Sequence, residues 1–267
     1  MRITEQDLAD LNRRFEGAPP LELLRFTRDT FGDRAAILSA MQLAGTFLCH
    51  LADKAKLPFD VLFVDTGVLH QETLSTRDEL ARTHKTLRVI TLHPDQTFAE
   101  QTAEEGVLYL SREGQERCCD LRKTRPLLRH KGRYDALILG LRRGEGGARA
   151  NVRPFGIDPN MNALRVHPLA AMKDDDIEAL EKEKASPGLV RNPLHAMGFP
   201  TIGCFPCTTP VLPDEPRRAG RWRHLQSVQY CGINPSDLEE AAPSIDLDDR
   251  YAALFAAPAD AKQGSRS

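Results

Sequence analysis

No stretch of the 267 residues comes near the roughly 18 consecutive apolar side chains that a membrane span requires. The opening Met1-Arg2-Ile3-Thr4-Glu5-Gln6-Asp7 is not an apolar leader. A charge excess of either sign is also missing. With a formal net charge of −2, general affinity for nucleic acid or for a membrane surface is excluded. There is no internal repeat, which excludes a solenoid or propeller. Cysteine is scarce, six in all, and 41% hydrophobic residues suffice for a core without disulfides. These absences point to a cytoplasmic protein with reduced thiols, where clustered cysteines read as metal-binding or catalytic.

What the chain does carry is an alternation of two periods. Short apolar runs at 35–38, 59–64, 87–92, 135–139 and 164–166 read as strands. Stretches at about 44–55, 71–84, 98–105 and 174–184 read as helices. Thr4 is positioned to cap a first helix ending near Phe15, and Pro20 opens a second that Gly32 ends. Strands separated by helices imply right-handed crossovers, so the expected fold class is α/β, a parallel sheet with helices on both faces. Ligands of such sheets sit beyond the carboxyl ends of the strands. That rim includes Asp65-Thr66-Gly67 and Gly140-Leu141-Arg142-Arg143.

From about residue 185 the periodicity is lost among Pro187, Gly188, Pro193, Gly198, Pro200, Gly203 and further prolines. An irregular stretch of that length is functional or disordered, and it contains Cys204-Phe205-Pro206-Cys207. With the adjacent Cys118 and Cys119, these thiols make two close pairs, the ligand count of a four-thiolate metal centre. An iron–sulfur cluster and a structural zinc both fit. Two separate buried pairs or a redox-active C-x-x-C are the other readings. Neighbouring side chains on a helix diverge by about a quarter-turn, so Cys118-Cys119 demands a special local geometry. Cys49, in Thr46-Phe47-Leu48-Cys49-His50-Leu51, reads as a core thiol, and His50, Asp65 and Glu72 as cap or surface residues. Cys231 stands apart in Tyr230-Cys231-Gly232. The preceding Arg218 and Arg221 favour a nucleophilic thiolate there, the alternative being a spare terminal thiol.

Taken in order, the motifs resemble the assimilatory sulfonucleotide reductases, specifically the iron–sulfur adenylyl-sulfate reductases, over about residues 20–234. The matching pieces are Val64-Asp65-Thr66-Gly67-Val68-Leu69-His70-Gln71-Glu72-Thr73, Arg117-Cys118-Cys119-Asp120-Leu121-Arg122-Lys123, Asn192-Pro193-Leu194-His195, Ile202-Gly203-Cys204-Phe205-Pro206-Cys207-Thr208, Arg218-Ala219-Gly220-Arg221-Trp222 and Cys231-Gly232. The resemblance implies an adenine-nucleotide α-hydrolase-like domain over 1–234, with 185–225 as its cluster-binding segment and 235–267 as a flexible acidic tail. It implies a [4Fe–4S] cluster on Cys118, Cys119, Cys204 and Cys207, structural and electrostatic in role. It also implies reduction of adenylyl sulfate to sulfite and AMP through an S-sulfocysteine on Cys231, with electrons from thioredoxin or glutaredoxin, in sulfate assimilation and cysteine biosynthesis. Substrate contacts fall to Ser39, Asp65, Thr66, Gly67, Lys123, Arg142, Arg143, Arg149, Arg218 and Arg221. Arg122 and Arg217 read as surface salt-bridge residues. A homo-oligomer is compatible with the family; a nucleic-acid or membrane partner is not implied. The alternatives are a reductase of the 3′-phosphorylated nucleotide and a diverged paralogue that holds a cluster or zinc without this activity.

Three places depart from the pattern. The expected S-F-G or S-M-G loop reads Leu38-Ser39-Ala40-Met41-Gln42-Leu43-Ala44-Gly45-Thr46, with no glycine at the turn. Glu145 and Gly146 replace the Gln and Ser of R-R-x-Q-S, and a carboxylate beside an anion is unfavourable unless an arginine pairs with it. Tyr230-Cys231-Gly232-Ile233-Asn234 lacks the histidine of E-C-G-L-H. If four thiolates around a metal centre organise the Pro-rich segment, metal-free protein should be cleaved faster within 185–225 than loaded protein. An unchanged limited-proteolysis pattern would contradict this.

Overall fold

The computed structural model describes residues 1–173, 175–176, 179, 188–225 and 244–255. The expected helix over 174–184 lies largely, and Cys231 wholly, outside the described residues. The chain opens on a strand, β1 (Arg2–Thr4), where a helix cap was expected. Thr4 does not cap. Its backbone N–H and hydroxyl both donate to Asp7 Oδ2, at 2.7 and 2.6 Å, and this turn delays α1 to Ala9–Phe15. α2 (Pro20–Phe31) follows, with proline where the missing N–H is not needed.

The central alternation then runs as the apolar pattern anticipates: β2 (Ala35–Leu38), α3 (Leu43–Lys54), β3 (Asp60–Val64), α4 (Gln71–Thr83), β4 (Arg88–Leu92) and α5 (Phe98–Glu105). A reciprocal capping box starts α5, with Thr97 and Glu100 each accepting from the other's backbone N–H. Next come α6 (Arg112–Cys119), α7 (Arg125–Leu128), β5 (Ala136–Ile138), β6 (Phe155–Asp158) and β7 (Ala163–Val166).

Six strands form one sheet in the order β4-β3-β2-β5-β7-β6. All neighbours are parallel except β6 and β7. That antiparallel edge was not anticipated. Its cause is length: the few residues between Asp158 and Ala163 allow a hairpin but no crossover. Strand side chains alternate between two apolar layers, so neither face meets water. Ile37, Val61, Phe63 and Ile138 enter the layer packed by α1 to α4; Ala36, Leu62, Val64 and Leu137 enter the layer packed by Leu127 of α7, Tyr134 and Met161. His50, read from sequence as a cap or surface residue, is buried on α3 with its ring 5.6 Å from that of His84. Burial pushes both imidazoles below their usual range. Among the described residues no helix is long and apolar enough to cross a membrane.

Strand order reverses between β2 and β5, since β3 and β4 extend the sheet one way and β7 and β6 the other. A crevice opens where such a reversal occurs, beyond the carboxyl ends of the two strands. The loops after β2 and β5 therefore bound this crevice.

Part of the stretch read as a tail packs onto this body. β8 (Ser244–Asp246) pairs antiparallel with β1, and Ile245, Leu247 and Tyr251 are buried. The Tyr251 ring lies 4.8 Å from that of Phe31, and its hydroxyl donates to Asp135 Oδ2 at 2.7 Å. Arg34 grips the same carboxylate through Nε and Nη2 at 2.5 and 2.7 Å. Burial alone would raise the Asp135 carboxyl, but the hydrogen bonds from Arg34 and Tyr251 outweigh it and hold its pKa below the usual value.

Tyr251→Ala should cost about 3 kcal/mol in chemical denaturation, as for other buried aromatics. Tyr251→Phe should cost about 1 kcal/mol at pH 7. A depressed folded-state pKa gives stability that is present above the unfolded value near 3.8 and lost below it. The gap between wild type and Tyr251→Phe should therefore narrow as pH falls below 3.8 through the lowered folded-state pKa of Asp135, and a pH-independent gap would contradict this role.

Candidate active site and thiol centre

The loop after β2 forms the expected turn without the expected glycine. Met41 occupies the left-handed region at φ 55° and is fully buried, a conformation costing roughly 1–2 kcal/mol for a residue with a side chain. Ser39, also buried, accepts the Met41 N–H on its hydroxyl at 3.2 Å. The Pro-rich segment clamps the turn from outside. Asn192 Nδ2 donates to the Met41 carbonyl at 3.3 Å and to Thr73 Oγ1 at 3.1 Å. His195 Nε2 accepts the first N–H of α3, from Leu43, at 3.2 Å, while its Nδ1 faces the Phe199 carbonyl at 2.9 Å. That assigns the proton to Nδ1 and caps the helix with a neutral imidazole. Gln42 Oε1 accepts from Ile202 N at 2.9 Å. A Cβ on Gly45 would run into Ser39 Oγ, so this glycine lets the helix approach the serine.

After β3, Asp65 Oδ1 accepts the Gly67 N–H at 2.8 Å and shapes the Asp65-Thr66-Gly67 turn. Gly67 has φ 73°, and a Cβ there would lie 3.0 Å from Arg122 Nη2. The chain beyond this turn binds the C-F-P-C segment directly. Leu69 bridges Cys204, Phe205 N donates to the Val68 carbonyl at 2.8 Å, and Thr66 Oγ1 lies 3.3 Å from Cys204 Sγ.

The other thiol pair ends α6, and the helix changes pitch beyond it. Asp120–Thr124 form a π-turn, in which Arg125 N–H reaches back to the Asp120 carbonyl. Pro126 supplies the reason. It has no N–H for the Arg122 carbonyl and its ring crowds that carbonyl, so a regular turn cannot continue. This is the special local geometry that adjacent cysteines demanded. Gln115, one turn before, donates to Cys119 Sγ at 3.0 Å, and Gln101 Nε2 lies 3.8 Å from Cys118 Sγ.

Cys118, Cys119, Cys204 and Cys207 line one hollow, with Val68, Phe98, Tyr109, Gln115, Arg122 and Lys123. Among the described residues no three His, Cys, Asp or Glu side chains draw together as tightly as the shell of one ion. Burial, reinforced by Cys204, pushes the Cys207 thiol up to about 12, with Lys123 acting in the opposite sense. Burial also raises Cys118, opposed by Gln101 and by the charges of Lys123 and Arg122. Such thiols ionise only against a compensating cation, and soft thiolates in that number fit an iron–sulfur cluster. Trp222 is buried against Cys204 and Cys207, and its indole N–H finds no acceptor among the described residues. A donor so placed fits an electron-rich group beside it. Cys49, as expected, is a core thiol pushed well above its usual range by burial.

Arg122 overturns its reading as a surface residue. It is buried, with Nε on the Thr66 carbonyl at 2.5 Å, Nη1 on Gln101 Oε1 at 3.0 Å and Nη2 on the Gln96 carbonyl at 3.2 Å. Arg217 is half-buried and donates to the Pro200 carbonyl at 3.4 Å, joining two turns of the irregular segment. Lys123 is buried on the hollow. Arg218 and Arg221 lie over the Trp222 ring at 6.0 and 4.4 Å, beside the C-F-P-C half. On the far side of the crevice Arg142 is buried in the loop after β5, and Glu145 bridges it to Arg149. Arg143 is drawn elsewhere, with Nη2 on both Glu16 oxygens at 2.7 and 2.8 Å and Nε on the Val152 carbonyl. Gln101 and Gln115 have no place in the motif reading, and Met41 and Trp222 stand in its motifs without an assigned role. Only Gln115, four residues before Cys119, carried a usable signal in its helical spacing.

Arg122→Gln should cost about 3 kcal/mol, because three buried acceptors lose their donor. Arg122→Lys should recover little, since one ammonium cannot span a fork of three acceptors. Full recovery by lysine in chemical denaturation would show that only the charge matters.

Residues 34–210 match the family model described as the phosphoadenosine phosphosulfate reductase domain. The chain is 39% identical over 222 residues to the adenosine 5′-phosphosulfate reductase of Streptomyces coelicolor, covering 83% of this chain and 91% of that one. The structure is similar to that of phosphoadenylyl-sulfate (PAPS) reductase from Candida auris in its phosphate complex, with TM-score 0.64 and 21% identity over 78% of this chain and 98% of that one. It is also similar to the FMN adenylyltransferase of Candida glabrata, with TM-score 0.51 and 13% identity over 92% and 80% of the two chains. The two structural likenesses concern the fold, a mostly parallel α/β sheet. The family match and the Streptomyces relative decide the lineage: the chain belongs to the phosphoadenosine phosphosulfate reductase family.

Proposed function

We propose that the protein reduces adenylyl sulfate to sulfite and AMP, as an oxidoreductase of sulfate assimilation that draws electrons from a thioredoxin-type dithiol. The observation that carries this reading is the convergence of Cys118-Cys119 and Cys204/Cys207 on one hollow beside the crevice of a nucleotide-binding type of sheet. The 39% identical relative bears the name of an adenosine 5′-phosphosulfate reductase, which favours the nucleotide without a 3′-phosphate.

Cys118, Cys119, Cys204 and Cys207 would hold a [4Fe–4S] cluster. Such a cluster supplies a fixed local charge and ties the end of α6 to the C-F-P-C segment. Lys123 stands on the same hollow as the thiols, and its ammonium offers positive charge both to them and to the anionic substrate. Ser39 and the turn before α3 receive the nucleotide at a helix N-terminus. Arg142 and Arg149 on one side, and Arg218 and Arg221 on the other, neutralise the phosphate and sulfate oxygens as the leaving group gains charge. In the first step the Cys231 thiolate attacks the sulfate sulfur, an S–S bond forms, and the S–O bond to phosphate breaks with its electron pair leaving on AMP. In the second, a partner thiolate attacks Cys231 Sγ and sulfite departs with the S–S electron pair. The partner's second thiol then resolves the mixed disulfide, so the dithiol is oxidised and the substrate reduced by two electrons.

Incubation with ³⁵S-labelled adenylyl sulfate should leave a sulfo adduct on wild type and none on Cys231→Ser. Cys119→Ser should lose the visible iron–sulfur absorption and the hollow's order with it. A wild-type protein that retains its cluster and forms no adduct would overturn the reductase reading.

A further inference from the structure

The loop between Arg142 and Arg149 holds a carboxylate at its centre. Glu145 Oε1 lies 3.7 Å from Arg142 Nε, and Glu145 Oε2 accepts a hydrogen bond from Arg149 Nη1. Two successive 3₁₀ turns, Arg143–Glu145 and Gly147–Arg149, make this possible. They curl the backbone so that the arginines reach the same acid from three residues before and four residues after it. Gly146, at φ 67°, joins the two turns in a conformation that a side chain would resist.

The three side chains are largely out of water, at 6%, 18% and 13% exposure for Arg142, Glu145 and Arg149. Two guanidinium groups so placed need a counter-anion, because desolvated like charges repel and their lost hydration is not otherwise recovered. An incoming phosphosulfate would supply one. Before it arrives Glu145 does.

We propose that Glu145 is a resident counter-anion of the substrate site, occupying Arg142 and Arg149 in the free protein and displaced by the phosphate or sulfate of the nucleotide. The inference rests on the assignment of this crevice to an adenylyl anion. Two consequences follow from mass action. The apparent affinity for an anionic nucleotide is lowered by the fraction of loops in which Glu145 holds the arginines. Selectivity rises in return, since a ligand enters only if its oxygens replace a carboxylate that contacts both guanidinium groups, and a neutral nucleoside has none to offer. Glu145 is thus a specificity-determining residue that acts on the anion and leaves the adenine contacts alone.

The test is calorimetric titration of the full, metal-loaded chain with AMP and with adenosine. Glu145→Gln should bind AMP about tenfold more tightly than wild type, or about 1.4 kcal/mol. The gain should shrink at high salt, because the loop is one unit more positive without the carboxylate and its attraction for an anion is screened. Adenosine binding should not change. If Glu145→Gln does not fold, Glu145→Asp carries the test. Its shorter carboxylate reaches the arginines less well, and AMP binding should tighten in the same direction by a smaller factor. AMP binding that is unchanged or weaker in a folded variant would overturn the proposal, since a merely structural ion pair would weaken binding when broken. An equal gain for adenosine would overturn it too. If wild type binds neither AMP nor adenylyl sulfate, the reading of the crevice itself fails, an outcome distinct from both.

Discussion

The buried guanidinium of Arg122 is the tie on which the site depends. It sits three residues beyond Cys119 and binds the Thr66 carbonyl at the end of β3, Gln101 of α5 and the carbonyl of Gln96 before that helix. Gln101 in turn approaches Cys118, and Thr66 approaches Cys204. One planar cation therefore connects both halves of the thiol centre to the sheet edge. Only arginine has a fork of donors rigid enough to satisfy three acceptors at once. Its desolvation is tolerable because every face meets an acceptor or the Phe98 ring, 5.5 Å away.

A second constraint comes from the Pro-rich segment, which is irregular yet far from loose. Its backbone cannot satisfy itself through helix or sheet ladders, so side chains and neighbouring loops do so. Asn192, His195 and Ile202 lock the turn after β2, Phe205 pairs with Val68, and the backbone N–H of Trp222 bonds the Cys207 carbonyl at 2.9 Å. The strained Met41 turn survives because these contacts over-determine it. The segment that carries two of the thiols is thus the same one that shapes the turn after β2, so the order of one depends on the order of the other.

Charge placement across the crevice follows the same economy of water. Lys123 faces the thiols, Arg218 and Arg221 stack on Trp222, and Arg142 and Arg149 share Glu145. Each cation is held by an acceptor or a ring, so none is left as an isolated buried charge. Arg143, adjacent to Arg142, is spent on Glu16 instead, because successive residues of a tight turn point apart.

Much of this was legible in the chain alone. The continuous apolar runs of β2 and β3 and the helical stretches between them determined a parallel core, since strands apolar on both faces must be covered on both. The cysteine spacing determined a four-thiol set. Tertiary structure decided what depends on partners distant in sequence. Arg122 looked like a surface cation because its acceptors lie 21 to 56 residues away. β6 runs antiparallel through the shortness of its hairpin, and residues 244–255 pack through β8 on β1 and through Tyr251 on Asp135, contacts that span more than a hundred residues. The sequence by itself determined which side chains could do chemistry, because residue type and spacing are local properties. Which of them share a carbonyl, a hollow or a counter-charge was decided only when the sheet brought distant loops to one edge.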